Sequence, residues 1–311
     1  MMRIQTIFFL FLFLCGDIQK TVAQTDSNLQ VNTEDHNELE DMLTDEKPVK
    51  EFIRNAFKSS RVINGHSMEL IGKGILDFRI LHRFGTISSG YHELFGLDQA
   101  SMRMGFDFGL SKNLTIGIGR STFNKEVDGF FKWRLIHQHK KVRPIPFSLV
   151  IVSGITMTGT KINDSKLNLF TNRLGFYNQL IIGRKFGNGF TLQLSPTFVH
   201  RNLVEFNTDL NDLLALGIGS RIKLSKRSAL IIDAFPVFYG GRENFNIFPL
   251  SIGFDIETGG HVFQLHMTNT RGMNEKAFIT ETTDRWEKGE IRLGFNISRV
   301  FTIVKNREVS L

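Results

Sequence analysis

Charged residues recur at alternate positions through several oily stretches of this 311-residue chain, and that spacing is the main chemistry the sequence offers. Asp77, Arg79 and Arg83 alternate with Leu76, Phe78, Ile80 and His82, and Arg103 and Asp107 alternate with Met102, Met104, Phe106 and Phe108. The same parity collects Lys132, Arg134, Arg173, Arg201, Arg221, Lys223 and Arg292, together with the acids Asp233, Asp255 and Glu257. Charges set this way can pair and fill a narrow interior. Where one sign dominates, they can line a passage that concentrates counter-ions. Ten basic residues against five acidic ones favour small anionic solutes. Charges near strand ends, Arg120 among them, can instead meet lipid phosphates.

Other chemistry is poorly supported. The chain has nine histidines, and His137 and His139 share a strand parity, but no group has zinc or haem spacing. No metal or other cofactor is expected. A lipid-facing Ser–His–Asp hydrolase, as some twelve-stranded outer-membrane phospholipases have, lacks a G-x-S-x-G elbow here. Phosphate-binding glycine loops and dinucleotide fingerprints are also missing. The chain is expected not to be an enzyme and not to bind nucleic acid.

Strict alternation means strands, because successive side chains point to opposite faces. Twelve alternating windows centre on 75–84, 101–110, 113–122, 129–138, 147–157, 172–183, 189–200, 213–224, 229–239, 247–257, 261–270 and 290–301. The fourth and fifth are the least regular. Pro196, Pro236 and Pro249 fall inside windows, where a missing N–H weakens a ladder. No helical period competes past residue 66. Short links such as "SKN", "GNG", "SKRS" and "TGG" alternate with mostly longer ones, such as 85–100, 159–171, 201–211 and 271–289. Short turns at one end, long loops at the other and an even strand number describe an antiparallel up-and-down transmembrane β-barrel of about twelve strands.

The oily face then meets lipid and the charged face lines the lumen. Thirty Phe against three Tyr and two Trp suit such a band. Gly105, Gly109, Gly117 and Gly119 fall on the charged face, where they leave room for long neighbours such as Arg103. A methyl at Gly105 is accordingly expected to fit. A soluble periplasmic barrel, with the oily face inside, is the alternative.

The N-terminus reads as a secretory signal peptide over 1–23, with Arg3, the apolar run Ile7–Leu14 and cleavage after Ala23. Acylation at Cys15, the single cysteine, is the rival, although Leu14 is bulky for that site. Residues 24–66 form an extension, disordered or a short helix, that can serve as a plug. Eight acidic residues and one basic fall within 24–47, and 49–65 has the pattern of one amphipathic helix. The barrel is placed at 67–304, and 305–311 form a tail. From residue 48 onward, 35 Lys and Arg face 22 Asp and Glu.

Five stretches carry a resemblance: "FKSSRVINGHSMEL" at 57–70, "GILDFRILHRFG" at 74–85, "LFGLDQASMRMGFDFGLSKNLTIGIGRS" at 94–121, "FPLSIGFDIETGGHVFQLHMTNTRGMNEKAFIT" at 248–280 and "IRLGFNISRVFTI" at 291–303. In this order they resemble an uncharacterised family of outer-membrane β-barrel proteins of Bacteroidota, known as a domain of unknown function. The resemblance implies an integral barrel surrounded by outer-membrane lipid; it brings no established activity, so no catalytic residues carry over. The sequence therefore leads to a small channel or solute-binding barrel with an anion bias. The alternative is a closed structural or interaction barrel with a periplasmic or surface partner, and a membrane-embedded hydrolase is the last choice.

Overall fold

A computed structural model describes residues 49–161, 167–204, 209–241, 247–258 and 261–304. The expected signal peptide with Cys15, the acidic stretch 24–47 and the tail 305–311 lie outside the described residues.

The alternating windows form twelve antiparallel strands. They are β1 (Ile75–Thr86), β2 (Ala100–Gly109), β3 (Leu114–Ser121), β4 (Val127–Ile136), β5 (Ser148–Met157) and β6 (Leu174–Phe186). The second half comprises β7 (Phe190–Arg201), β8 (Asp212–Lys223), β9 (Ser228–Ala234), β10 (Leu250–Thr258), β11 (His261–Thr268) and β12 (Arg292–Thr302). Each strand pairs with its sequence neighbour, and β12 pairs with β1, with Ile297 opposite Ile80. The barrel is closed, so no strand edge is left open.

The prolines sit where a ladder can spare an N–H. Pro236 breaks the ninth window, and the chain resumes at Val237–Tyr239 against β8. In that break the Pro236 carbonyl takes the Leu216 N–H at 3.0 Å, and Leu216 lies opposite Pro196 on β7. Pro249 directly precedes β10. A register shift between Arg134 and Ile136 accounts for part of the irregularity of β4.

Met104, Phe106, Ile116, Ile118, Phe131, Trp133 and Ile155 face outward, while Arg103, Asp107 and Lys132 are buried inside. The expected amphipathic helix over 49–65 is not formed. Residues 51–52 instead make a two-residue ladder with His139–Lys140 in the β4–β5 connection. The chain then enters the barrel as a hairpin in which Arg61 bridges His66 and the Val62 N–H bonds the Gly65 carbonyl. A helix satisfies its own backbone, but a hairpin can lend its N–H and C=O groups to a polar wall, and this wall takes them.

Among the described residues one α-helix does occur beyond residue 66, besides short 3-10 turns. This is α1 (Glu275–Thr280), in the β11–β12 connection. Its six residues are too few to print a helical period on the sequence.

Candidate functional site

The lumen wall has two chemically different parts, and the entering segment matches both. One part carries most of the buried charges, from β1, β2, β4 and β10, with Arg221 of β8 and Asp233 of β9 beyond it. The other presents Val150 and Val152 (β5), Ile181 (β6), Val199 (β7), Leu213 and Ala215 (β8) and Ile231 (β9). These pack with Ala56, Phe57, Val62, Ile63 and Met68 of the hairpin and with Phe278 and Ile279 of α1 in one buried apolar cluster. Strand β5, "SLVIVSGITM", is oily on both faces because one face meets the outside and the other meets the hairpin.

Polar side chains from both parts of the wall hold the hairpin by its backbone. At the tip, the Asp233 carboxylate accepts the N–H groups of Ile63, Asn64 and Gly65 at 3.3, 2.7 and 3.0 Å. Lys132 donates to the carbonyls of Ser60 and Glu69 at 3.0 and 2.5 Å. Gln264 and Asn296 donate to the carbonyls of Val62 and Ile63 at 2.6 and 3.1 Å. Gln193 both accepts from the Met68 N–H and donates to the His66 carbonyl. Arg83 donates to the Asn64 side chain at 2.9 Å. Gly65 is required at the tip, since a Cβ there would lie 2.4 Å from the Phe235 ring.

The long β11–β12 connection closes the opposite end by folding inward. Asn274 caps α1 by accepting the Ala277 N–H and also donates to Glu126 at 2.6 Å. Glu275 pairs with Arg61 of the hairpin at 2.9 Å, with side chains 0% and 1% exposed, so the two insertions meet in the interior. Phe278 packs edge-on to Phe235 at 4.9 Å. Lys276 pairs with Glu126 at 2.9 Å and with Glu281. Burial opposes the charge on Lys276, but these two carboxylates outweigh it and hold the amine above its ordinary pKa.

The charged residues named from the sequence fall into three groups, apart from Arg201, which is buried at the end of β7 and donates to the Leu210 carbonyl at 2.8 Å. Asp77, Arg79, Arg83, Arg103, Asp107, Lys132, Arg221, Asp233 and Asp255 are buried in the lumen, and Arg134 is largely buried there, 3.6 Å from Glu69. Glu257 lies at the short-turn end, 2.8 Å from Lys58. Arg173, Lys223 and Arg292 sit at strand ends. Arg173 belongs to a one-turn helix and donates to the Thr158 carbonyl, Lys223 is exposed, and Arg292 pairs with Asp284 at 2.6 Å.

Sequence reasoning missed several buried partners. Asp128 binds Arg103 at 2.8 and 2.5 Å, and Glu126, Glu275, Arg61 and Lys276 also enter the interior. Asp128 shares the parity of Lys132 and was within reach of the sequence reading, but the fourth window began one residue too late, at 129. Glu275 lay in a segment read as an external loop. With these included, eight buried basic residues (Arg61, Arg79, Arg83, Arg103, Lys132, Arg201, Arg221, Lys276) face seven acidic ones (Asp77, Asp107, Glu126, Asp128, Asp233, Asp255, Glu275) among the described residues. The expected room at Gly105 is also corrected. A Cβ there would lie 2.7 Å from the Arg103 guanidinium, and one at Gly119 would lie 2.1 Å from it.

Residues 57–301 match the model of the family described as "Membrane bound beta barrel domain (DUF5777)". The chain belongs to this family. The match begins at Phe57, so it includes the lumen hairpin as well as the strands. Among curated proteins none matches the sequence. Among solved structures, the NanC porin is similar over 74% of this chain and 100% of its own, with 8% identity and a TM-score of 0.45. An outer-membrane channel from Pseudomonas putida F1 is similar over 75% of this chain and 97% of its own, with 13% identity and a TM-score of 0.43.

Proposed function

We propose that this family member works in the outer membrane of a Bacteroidota cell as a closed structural or interaction barrel, without a standing pore and without catalysis. The observation that carries this reading is the apolar core inside the lumen. Phe57, Val62, Ile63 and Met68 of the hairpin and Phe278 and Ile279 of α1 pack on Val150, Val152, Ile181, Val199 and Ile231. A wall built to carry water and ions has no use for that surface, whereas a wall built to hold a plug needs it. The buried charges support the same view, because they hold one another or the hairpin backbone.

The test is a planar-bilayer recording of the full chain. No steady current is expected, and steady conductance by the unmodified protein would overturn the proposal. The hairpin enters and leaves by the same end of the barrel, which favours a second reading in which its withdrawal opens a path. That path would keep Arg79, Arg83, Arg103, Lys132, Arg134 and Arg221 against Asp77, Asp107, Asp128, Asp233 and Asp255. Such a wall supports at most a weak anion preference, which the reversal potential under a salt gradient would measure.

A further inference from the structure

Exposed basic residues occur at both ends of the barrel, and at the short-turn end they gather in the turns. At the short-turn end, Lys112, Lys140, Arg143, Lys226 and Arg227 project from the turns and are exposed. The carboxylates at that end, Glu51, Glu69 and Glu257, each lie within 4.0 Å of a cation already, namely Lys141, Arg134 and Lys58. At the long-loop end, Lys161, Arg271 and Lys288 are also exposed, Arg271 with its guanidinium 5.2 Å from the Phe123 centroid, while other basic residues there are met by the protein itself. Arg292 pairs with Asp284, and Arg120 donates to the Lys125 carbonyl.

Two arginines of the short-turn end stand on the lipid-facing side. Arg184 of β6 shares the outward parity of Leu180, Ile182 and Phe186, all exposed. Its guanidinium lies over the Phe186 ring, 4.8 Å from the centroid, and Phe186 stacks on Phe190 at 5.7 Å. Arg299 of β12 lies over Phe301 at 5.1 Å on another side of the barrel. Among the described residues neither arginine has a carboxylate partner.

An outward cation two or three residues from a strand end cannot remain in hydrocarbon, and its side chain reaches along the strand to headgroup level. The ring beneath fixes the guanidinium plane and leaves its N–H edges free for a planar, two-point contact with an oxyanion. We propose that the short-turn end is a binding surface for the phosphates of anionic phospholipids in the leaflet on that side, gripped at Arg184–Phe186 and Arg299–Phe301 and surrounded by the turn lysines and arginines. The proposal holds whether or not the lumen conducts.

The test places the full chain in nanodiscs containing equal phosphatidylglycerol and phosphatidylcholine, followed by native mass spectrometry of the retained lipid. Phosphatidylglycerol should be retained in several-fold excess. That excess should disappear in R184Q/R299Q and should shrink only slightly in K112Q/K226Q, whose changes lie in the turns. R184K/R299K keeps the charge but loses the planar fork, and should fall between. Heat-modifiable gel mobility would show that each variant is folded. Equal retention of the two lipids by the unmodified chain would overturn the proposal, as would an excess that survives in folded R184Q/R299Q. Equal loss in the turn and arginine variants would also overturn it, by reducing the surface to unspecific charge.

Discussion

The pair Arg103–Asp128 shows what a buried charge costs when its partner goes. Both side chains are almost fully enclosed, at 1% and 2% exposure. Arg103→Gln should leave the Asp128 carboxylate buried without its cation and destabilise the barrel by about 3–5 kcal/mol. Arg103→Met combined with Asp128→Leu should lose much less, because both charges leave together. Denaturant titration in lipid, read by tryptophan fluorescence, would separate the two, and equal losses would refute the pairing argument. Gly119→Ala should act through the same pair by driving a methyl into the space of the guanidinium, at a cost of about 1–3 kcal/mol. The glycine positions were legible in the sequence as places that make room for Arg103. That Arg103 occupies the room fully was not, because it depends on Asp128 pulling the guanidinium across β3.

At the scale of elements, the twelve strands were readable because a two-residue period survives in any membrane barrel, and each strand except β9, which ends before Pro236, falls within about three residues of its window. The hairpin was not readable as a hairpin. Its apolar residues Phe52, Ile53, Ala56 and Phe57 mimic a helical face, and only the polar wall reveals that its backbone is held from outside. Its entry depends on His137, whose ring stacks on Phe52 at 5.0 Å and donates to the Ile53 carbonyl at 2.7 Å. Burial, and then the nearby Arg134 charge, lower the His137 pKa to about 4. At pH 7 the ring is neutral whether docked or free. As pH falls below the ordinary histidine value of about 6.5, the free ring takes a proton that the docked ring refuses until about 4. Docking of residues 51–53 should therefore weaken across that window and level off below it. The observable is the hydrogen-exchange protection of the Ile53 amide, which donates to the Gln138 carbonyl at 2.9 Å. His137→Gln should flatten the response, and an undiminished pH dependence in that variant would count against the assignment. Deeper in the barrel, Asp233→Ala should deprive three backbone N–H groups of their acceptor and raise exchange at Ile63, Asn64 and Gly65 first.

For the whole molecule, the question is which apolar surface does which work. A barrel in lipid gains nothing from water exclusion on its outer face beyond what any oily side chain supplies, so outward positions tolerate truncation but not charge. The inner cluster is different, because it is a packed core with defined neighbours. Phe106→Ala should therefore be mild, whereas Phe106→Arg should cost about 2–4 kcal/mol if the position lies near the bilayer midplane. Phe57→Ala and Phe278→Ala remove rings that are 2% and 0% exposed, and each should cost about 3–5 kcal/mol although neither residue belongs to a strand. The decisive comparison is chemical denaturation of Phe106→Ala, Phe57→Ala and Phe278→Ala in the same lipid. If hairpin and barrel form one cooperative unit, the two lumen variants lower the single unfolding transition and the outer variant leaves it in place. If the hairpin is a loosely held gate, Phe57→Ala should leave barrel unfolding unchanged and should instead produce intermittent current in a planar bilayer. That outcome would move the protein from a closed barrel to a channel opened by hairpin withdrawal.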